Sequence, residues 1–162
     1  MEKINLTKIS DLENLIIDRI DLIDMAHFDW GRYSYLIARY HQELLDPEKY
    51  NWKKDSWIIT VCCPEKLDSE KYNWKKYSEY VARHCPEKLD PEKYNWEKDS
   101  GAAAKYCPQL LDPTKYNWEN DSWVVAKYCP GRIEPNAYNW KDHTWAIELY
   151  CPEKLKLRPS EV

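Results

Sequence analysis

Cys62, Cys63, His84 and Cys85 bring thiolate and imidazole ligands together at a spacing of 22 residues, a set that tetrahedral zinc accepts as two Cys pairs or as three Cys and one His. Their columns argue against that use. Cys62 and His84 are followed at the same period by Tyr106, Tyr128 and Tyr150, whereas Cys63 and Cys85 are followed by Cys107, Cys129 and Cys151. A Cys retained where its companion ligand is lost is explained as a small buried apolar residue, so no metal and no cofactor are expected. Disulfides are not expected either. Helices stacked about 8–10 Å apart hold neighbouring Cα atoms beyond the roughly 4.4–6.8 Å of a disulfide, and the thiols read as reduced.

Catalytic chemistry finds little footing. His27, His41, His84 and His143 are scattered, and no nucleophile, base and orienting group stand in sequence together. There is no glycine-rich phosphate loop and no metalloprotease-type histidine pair. The chain is expected not to be an enzyme.

Phosphate chemistry would use the lysines. Arg32, Lys53, Lys54, Lys75, Lys76 and Lys98 precede or open successive apolar segments, and the same places later hold Glu119, Asp121 and Asp142. A basic edge of this kind could follow a nucleic-acid backbone, with Tyr35 and Trp57 as stacking platforms. Glu48, Asp55, Glu70 and Glu92 lie nearby, and the net charge is -4 with a pI of about 5.6. Nucleic acid is therefore the less favoured partner, and a solvated face the plainer explanation. Sugar stacking on an aromatic ladder is a further alternative, and it requires the repeated Tyr and Trp rings to be exposed.

What positions all of these residues is a repeat. Tyr-Asn-Trp recurs at Tyr50, Tyr72, Tyr94, Tyr116 and Tyr138, and Cys-Pro recurs at the same period of 22. Phe28-Asp29-Trp30 and His41 extend the frame backwards, giving six copies: 24–45, 46–67, 68–89, 90–111, 112–133 and 134–155. Residues 1–23 read as an N-terminal capping helix, with Leu12, Leu15, Ile16, Ile20 and Ile23 at helical spacing after a cap at Ser10, and 156–162 as a polar tail. The chain has 9 Trp, 13 Tyr and only 3 Gly, which disfavours stacked hairpins.

Within each copy, Ser34, Ser56, Ser78, Ser100, Ser122 and Thr144 occupy one column and are expected to cap a helix of about two turns that ends before Cys-Pro. Asp46, Asp68, Asp90, Asp112 and Glu134 are expected to open a second short α or 3₁₀ segment. Leu45, Leu67, Leu89, Leu111 and Ile133 form one core row, and Ile37, Ile59, Val81, Ala103, Val125 and Ile147 another. Such a copy cannot fold alone and must stack. The fold class expected is all-α, a solenoid of 22-residue repeats with a short α-helix and a short α or 3₁₀ helix in each.

The stretch Tyr80-Val81-Ala82-Arg83-His84-Cys85-Pro86-Glu87-Lys88-Leu89 resembles the leucine-rich-repeat-variant class, in which a short α-helix alternates with a 3₁₀-like helix and a Pro follows the first. The likeness extends over residues 24–155. It implies a right-handed superhelix used for protein or nucleic-acid contacts.

Function is then sought where the copies differ. Tyr35, Trp57, Glu79, Gly101, Trp123 and Trp145 share one variable column, expected as the first helical position. Large aromatics at a variable outer place serve as interface anchors, although they could equally cover seams between repeats. Ser100-Gly101-Ala102-Ala103-Ala104 is either a notch for a partner side chain or a weak copy. The expected role is a non-catalytic protein-binding scaffold using Tyr35, Trp57, Glu79, Trp123 and Trp145, with Lys53, Lys54, Lys75 and Lys76 assisting. One concrete form is a small inhibitor or adaptor of a larger, nucleic-acid-handling enzyme. No membrane segment or secretory leader is read, a cytoplasmic location is expected, and the thinly covered last repeat is a candidate homodimer face.

Overall fold

The computed structural model describes residues 9–160; the first eight residues of the expected cap and the last two of the tail lie outside the described residues. Among the described residues seven α-helices follow one another: α1 (Ile9–Asp18), α2 (Trp30–Tyr40), α3 (Trp52–Cys62), α4 (Trp74–His84), α5 (Trp96–Tyr106), α6 (Trp118–Tyr128) and α7 (Trp140–Tyr150). Each is followed by a 3₁₀ turn, and among the described residues there is no strand. The fold is all-α, a helical repeat solenoid. It divides into two compact units, residues 1–73 and 74–162; α1 packs on α2 and α2 on α3 in the first, while α4 to α7 pack in chain order in the second.

The helices are longer than the serine column suggests, and their caps lie elsewhere. The Asn of Tyr-Asn-Trp is the N-cap: the side chains of Asn51, Asn95, Asn117 and Asn139 accept from the backbone N–H three residues on, as Asp29 does in α2. Trp therefore opens the helix, which runs 11 residues in every repeat. The serines sit one turn inside, fully buried. Ser56 turns its hydroxyl back on the Trp52 carbonyl, a bond open to Ser and Thr inside helices. Ser10 likewise falls within α1, which already includes Ile9.

The helix ends where Pro requires. Cys63, at the C-cap, has φ -149° and ψ 62°, outside helical geometry, and Pro64 then starts the 3₁₀ turn Pro64–Lys66. The 3₁₀ helix thus follows Cys-Pro and not Asp-Pro. Asp46, Asp90 and Asp112 instead close a tight turn, each accepting from the N–H two residues on.

Tyr-Asn-Trp ties each turn to its helix. Tyr94 donates its hydroxyl hydrogen to the Asp99 carbonyl at 2.6 Å, and Trp96 Nε1 donates to the Pro91 carbonyl at 2.9 Å. Asn95 Nδ2 reaches the preceding repeat at the Lys75 carbonyl, 3.0 Å away. Tyr50, Trp52 and Asn51 repeat this set in the first unit, as do Tyr116, Trp118 and Asn117 in the second. Helix neighbours are joined a second time by a carboxylate: buried Asp99 accepts from Ser78 Oγ and from the Glu79 N–H, and half-buried Asp121 from Ser100 Oγ and the Gly101 N–H. Tyr77 stands where α5 and α6 carry these aspartates, and there α4 leaves helical geometry (φ -129°, ψ 17°).

At the start of the first unit, Ile16 is fully buried. His41, in the place of the repeated Cys, brings Nε2 to 2.7 Å from the Ile16 carbonyl and so engages the end of α1.

Candidate functional site

The cysteines are absorbed by the scaffold. All six cysteines are free thiols. Burial pushes the Cys63 thiol up to about 12 and those of Cys85, Cys107 and Cys129 to about 11, which keeps them protonated and unreactive at neutral pH. Among the described residues no group of three or more His, Cys, Asp or Glu is placed to hold a metal ion. One pair has the geometry of nucleophile and base: Ser122 Oγ lies 2.7 Å from His143 Nδ1. Ser122 is fully buried, however, and its oxygen also accepts from the Asn139 N–H, so no substrate carbonyl can reach it.

The Tyr-Asn-Trp rings are buried and lack the exposed faces that sugar stacking requires. Trp52, Trp74, Trp96, Trp118 and Trp140 are 3–8% exposed, and the companion tyrosines 4–5%. The Tyr94 and Trp96 centroids lie 4.9 Å apart at 64°, an edge contact that fills the turn.

The variable aromatic column lies at mid-helix and not at the first helical position. In the first unit, Tyr35 of α2 and Trp57 of α3 are half-buried and line an open apolar cavity of about 390 Å³ with Arg39, Ile58, Val61 and Cys62. Tyr35 donates to Glu13 Oε1 at 2.9 Å; its burial, and then that bond, push the phenol up to about 12, so the ring is fixed and neutral. Lys54 Nζ lies 5.8 Å from the Tyr35 centroid, and Lys53 and Arg39 are exposed nearby in sequence on the same helix pair. Val61, one turn beyond Trp57, is 47% exposed.

In the second unit the column diverges. Glu79 is exposed on α4, Gly101 leaves α5 bare, and Trp123 and Trp145 stack at 6.3 Å and 26°. Trp145 is 47% exposed and shares α7 with exposed Leu149 and Tyr150, so the last helix carries an apolar outer face. Lys75 and Lys76 are exposed in the first turn of α4, with Lys76 Nζ 4.8 Å from the Tyr77 centroid. The expected site residues therefore fall into a groove on α2 and α3, a stack on α6 and α7, and separate exposed positions on α4.

Sequence reading met Tyr106, Tyr128 and Tyr150 only as the column in which the Cys and His pattern lapses, and passed over the cations beside them. Arg83, Lys105 and Lys127 form one column and Tyr106, Tyr128 and Tyr150 the next, and the structure interleaves them. The same 22-residue period would have revealed the cation row as well, but cations there also suit the negative end of a helix dipole and so draw no notice.

No known protein family matches the chain, and neither the curated proteins nor the solved structures contain a significant match. No helix among the described residues is long and apolar enough to cross a membrane.

Proposed function

We propose that this protein is a non-catalytic binding scaffold whose first unit holds a segment of a partner protein in the groove between α2 and α3. The observation that carries this reading is the apolar cavity walled by Tyr35 and Trp57, with Val61 open at its edge and a volume of about 390 Å³. A cavity of that size takes one or two large side chains, and fixed aromatic walls lose little entropy when they are covered. Arg39, Lys53 and Lys54 outnumber the Glu13 carboxylate, which the Tyr35 hydroxyl engages, and this balance favours an acidic segment bearing an aromatic or aliphatic anchor.

Selection of displayed random peptides against the whole chain tests the proposal. Enriched peptides should share a large apolar residue flanked by Asp or Glu, and Trp57→Ala should weaken them about tenfold or more while the helical circular-dichroism spectrum persists. Arg39→Glu, which reverses a charge on the exposed rim of the cavity and leaves both aromatic walls in place, should weaken the same peptides. Failure to enrich any peptide, or equal binding by both variants, would sink the reading. Binding of an oligonucleotide lost on Lys53→Gln, Lys54→Gln substitution and at high salt would transfer the site to nucleic acid.

A further inference from the structure

The second unit carries a surface that the groove on α2 and α3 does not involve. Along the ends of α4 to α7, cations and tyrosines alternate: the Arg83 guanidinium lies 5.8 Å from the Tyr106 centroid, Lys105 Nζ lies 4.8 Å from Tyr106 and 5.4 Å from Tyr128, and Lys127 Nζ lies 5.2 Å from both Tyr128 and Tyr150. The three cations are exposed, as are Tyr128 and Tyr150, and none of the ion pairs among the described residues engages these cations.

The field is concentrated at the middle of this ladder. Arg83 has Glu79 and Glu87 four residues away on either side. Around Lys105 the same places hold Gly101 and Gln109, and around Lys127 they hold Trp123 and Gly131, so no carboxylate stands at either neighbouring position. Arg132, also exposed, adds another cation in the turn after α6. The repeated glutamate of the Cys-Pro-Glu turn, present at Glu65, Glu87 and Glu153, is absent only in the two copies that carry Lys105 and Lys127.

Spacing and ring geometry select the occupant. Packed helices stand about 8–10 Å apart, so Lys105 and Lys127 present charge at roughly that interval. In a polyproline II segment, with three residues per turn and about 3.1 Å per residue, side chains on one side recur about every 9 Å. A strand of nucleic acid places a phosphate about every 3.4 Å along a duplex axis, two or three per lysine, and most would remain unmatched. Base stacking also needs free ring faces, and here each ammonium already lies over two tyrosine rings. Proline-rich segments, by contrast, dock as preformed polyproline II helices into aromatic-lined grooves and match the spacing of the two lysines.

We infer that the ends of α5, α6 and α7 form a binding site for an extended acidic peptide with a carboxylate at every third residue, its carboxylates on Lys105 and Lys127 and its intervening residues against Tyr106, Tyr128 and Tyr150. Fluorescence anisotropy with labelled twelve-residue peptides decides the matter. Four repeated Glu-Pro-Pro triplets should bind the whole chain about tenfold or more tighter than a block of four glutamates followed by eight prolines, since composition is equal and only register differs. The Lys105→Gln, Lys127→Gln variant should lose about tenfold or more of that affinity, and Lys105→Arg, Lys127→Arg should retain most of it. Equal affinity for the two peptides, tighter binding of a twelve-nucleotide oligothymidylate, undiminished binding by the glutamine variant, or no binding of the triplet peptide would each overturn the inference. Because the groove on α2 and α3 is untouched by these substitutions, its own test stands or falls separately.

Discussion

Inward and outward columns of the same repeats follow opposite rules. The inward set, Tyr-Asn-Trp with the buried Ser and the Cys before Pro, hardly changes from Asn51 to Cys151, and nearly every polar atom in it has a named acceptor or donor. The outward set varies: Tyr35 and Trp57 wall a cavity, Gly101 lies against Asp121 and Val124 with no side chain of its own, Trp123 and Trp145 stack, and Lys105 and Lys127 bridge tyrosines. Copies that share a backbone plan must share the side chains that close it, whereas the exposed positions are free to differ. Recurrence within this chain thus marks architecture, and departure from recurrence marks where to look for ligands.

The largest test of the inward set is alkaline titration. The folded thiols ionise at about 12 (Cys63) and about 11 (Cys85, Cys107, Cys129), above the roughly 8.5 of an unfolded cysteine. A folded pKa raised in this way contributes stability that is complete below about pH 8.5 and is lost as pH rises toward the folded value. Each such thiol lowers unfolding free energy by about 1.4 kcal/mol per pH unit in that window, and four together rival the whole stability of a domain. Urea midpoints under reducing conditions should therefore be flat from pH 7 to 8 and fall steeply between about pH 9 and 11. A flat profile to pH 11 would mean that the thiols are solvated and that the cysteine column is not core.

Next in size is Trp118→Ala. The ring is 8% exposed, donates to the Pro113 carbonyl at 2.8 Å and lies 4.7 Å from the Tyr116 centroid. Its removal should cost about 3–5 kcal/mol, read as a lower urea midpoint. A cost below about 1 kcal/mol would show that the Tyr-Asn-Trp turn closes without its Trp and would erase the contrast with the outward column.

How far the sequence revealed this molecule follows the same division. The period, the all-α class, the Cys-Pro break and the core rows were legible because each depends on local chemistry repeated in register. The cap was misplaced because Ser, Asp and Asn all suit helix starts. Only the paired contacts of Asn95, one to the Lys98 N–H and one to the Lys75 carbonyl, distinguish it from Ser100, whose hydroxyl serves an aspartate of the next repeat. The groove beside Trp57 was half visible: its aromatic walls were named, but Arg39 and Val61, one turn further along their helices, join them only through packing.

The smallest effect tests the outward side directly. Trp145 is 47% exposed, and its main recorded partners are the Trp123 ring at 6.3 Å and the Tyr150 ring at 6.4 Å. An aromatic pair contributes about 0.5–1.5 kcal/mol, so Trp145→Ala should cost about 1 kcal/mol and shift the urea midpoint slightly with no change in its slope. The same substitution type at Trp118 and Trp145 thus gives values that differ by a factor of about three or more. If Trp145→Ala instead matched Trp118→Ala, the stack of Trp123 and Trp145 would be part of the core and not a surface open to a partner. The groove on α2 and α3 would be unaffected, because Tyr35 and Trp57 are anchored there by their own contacts.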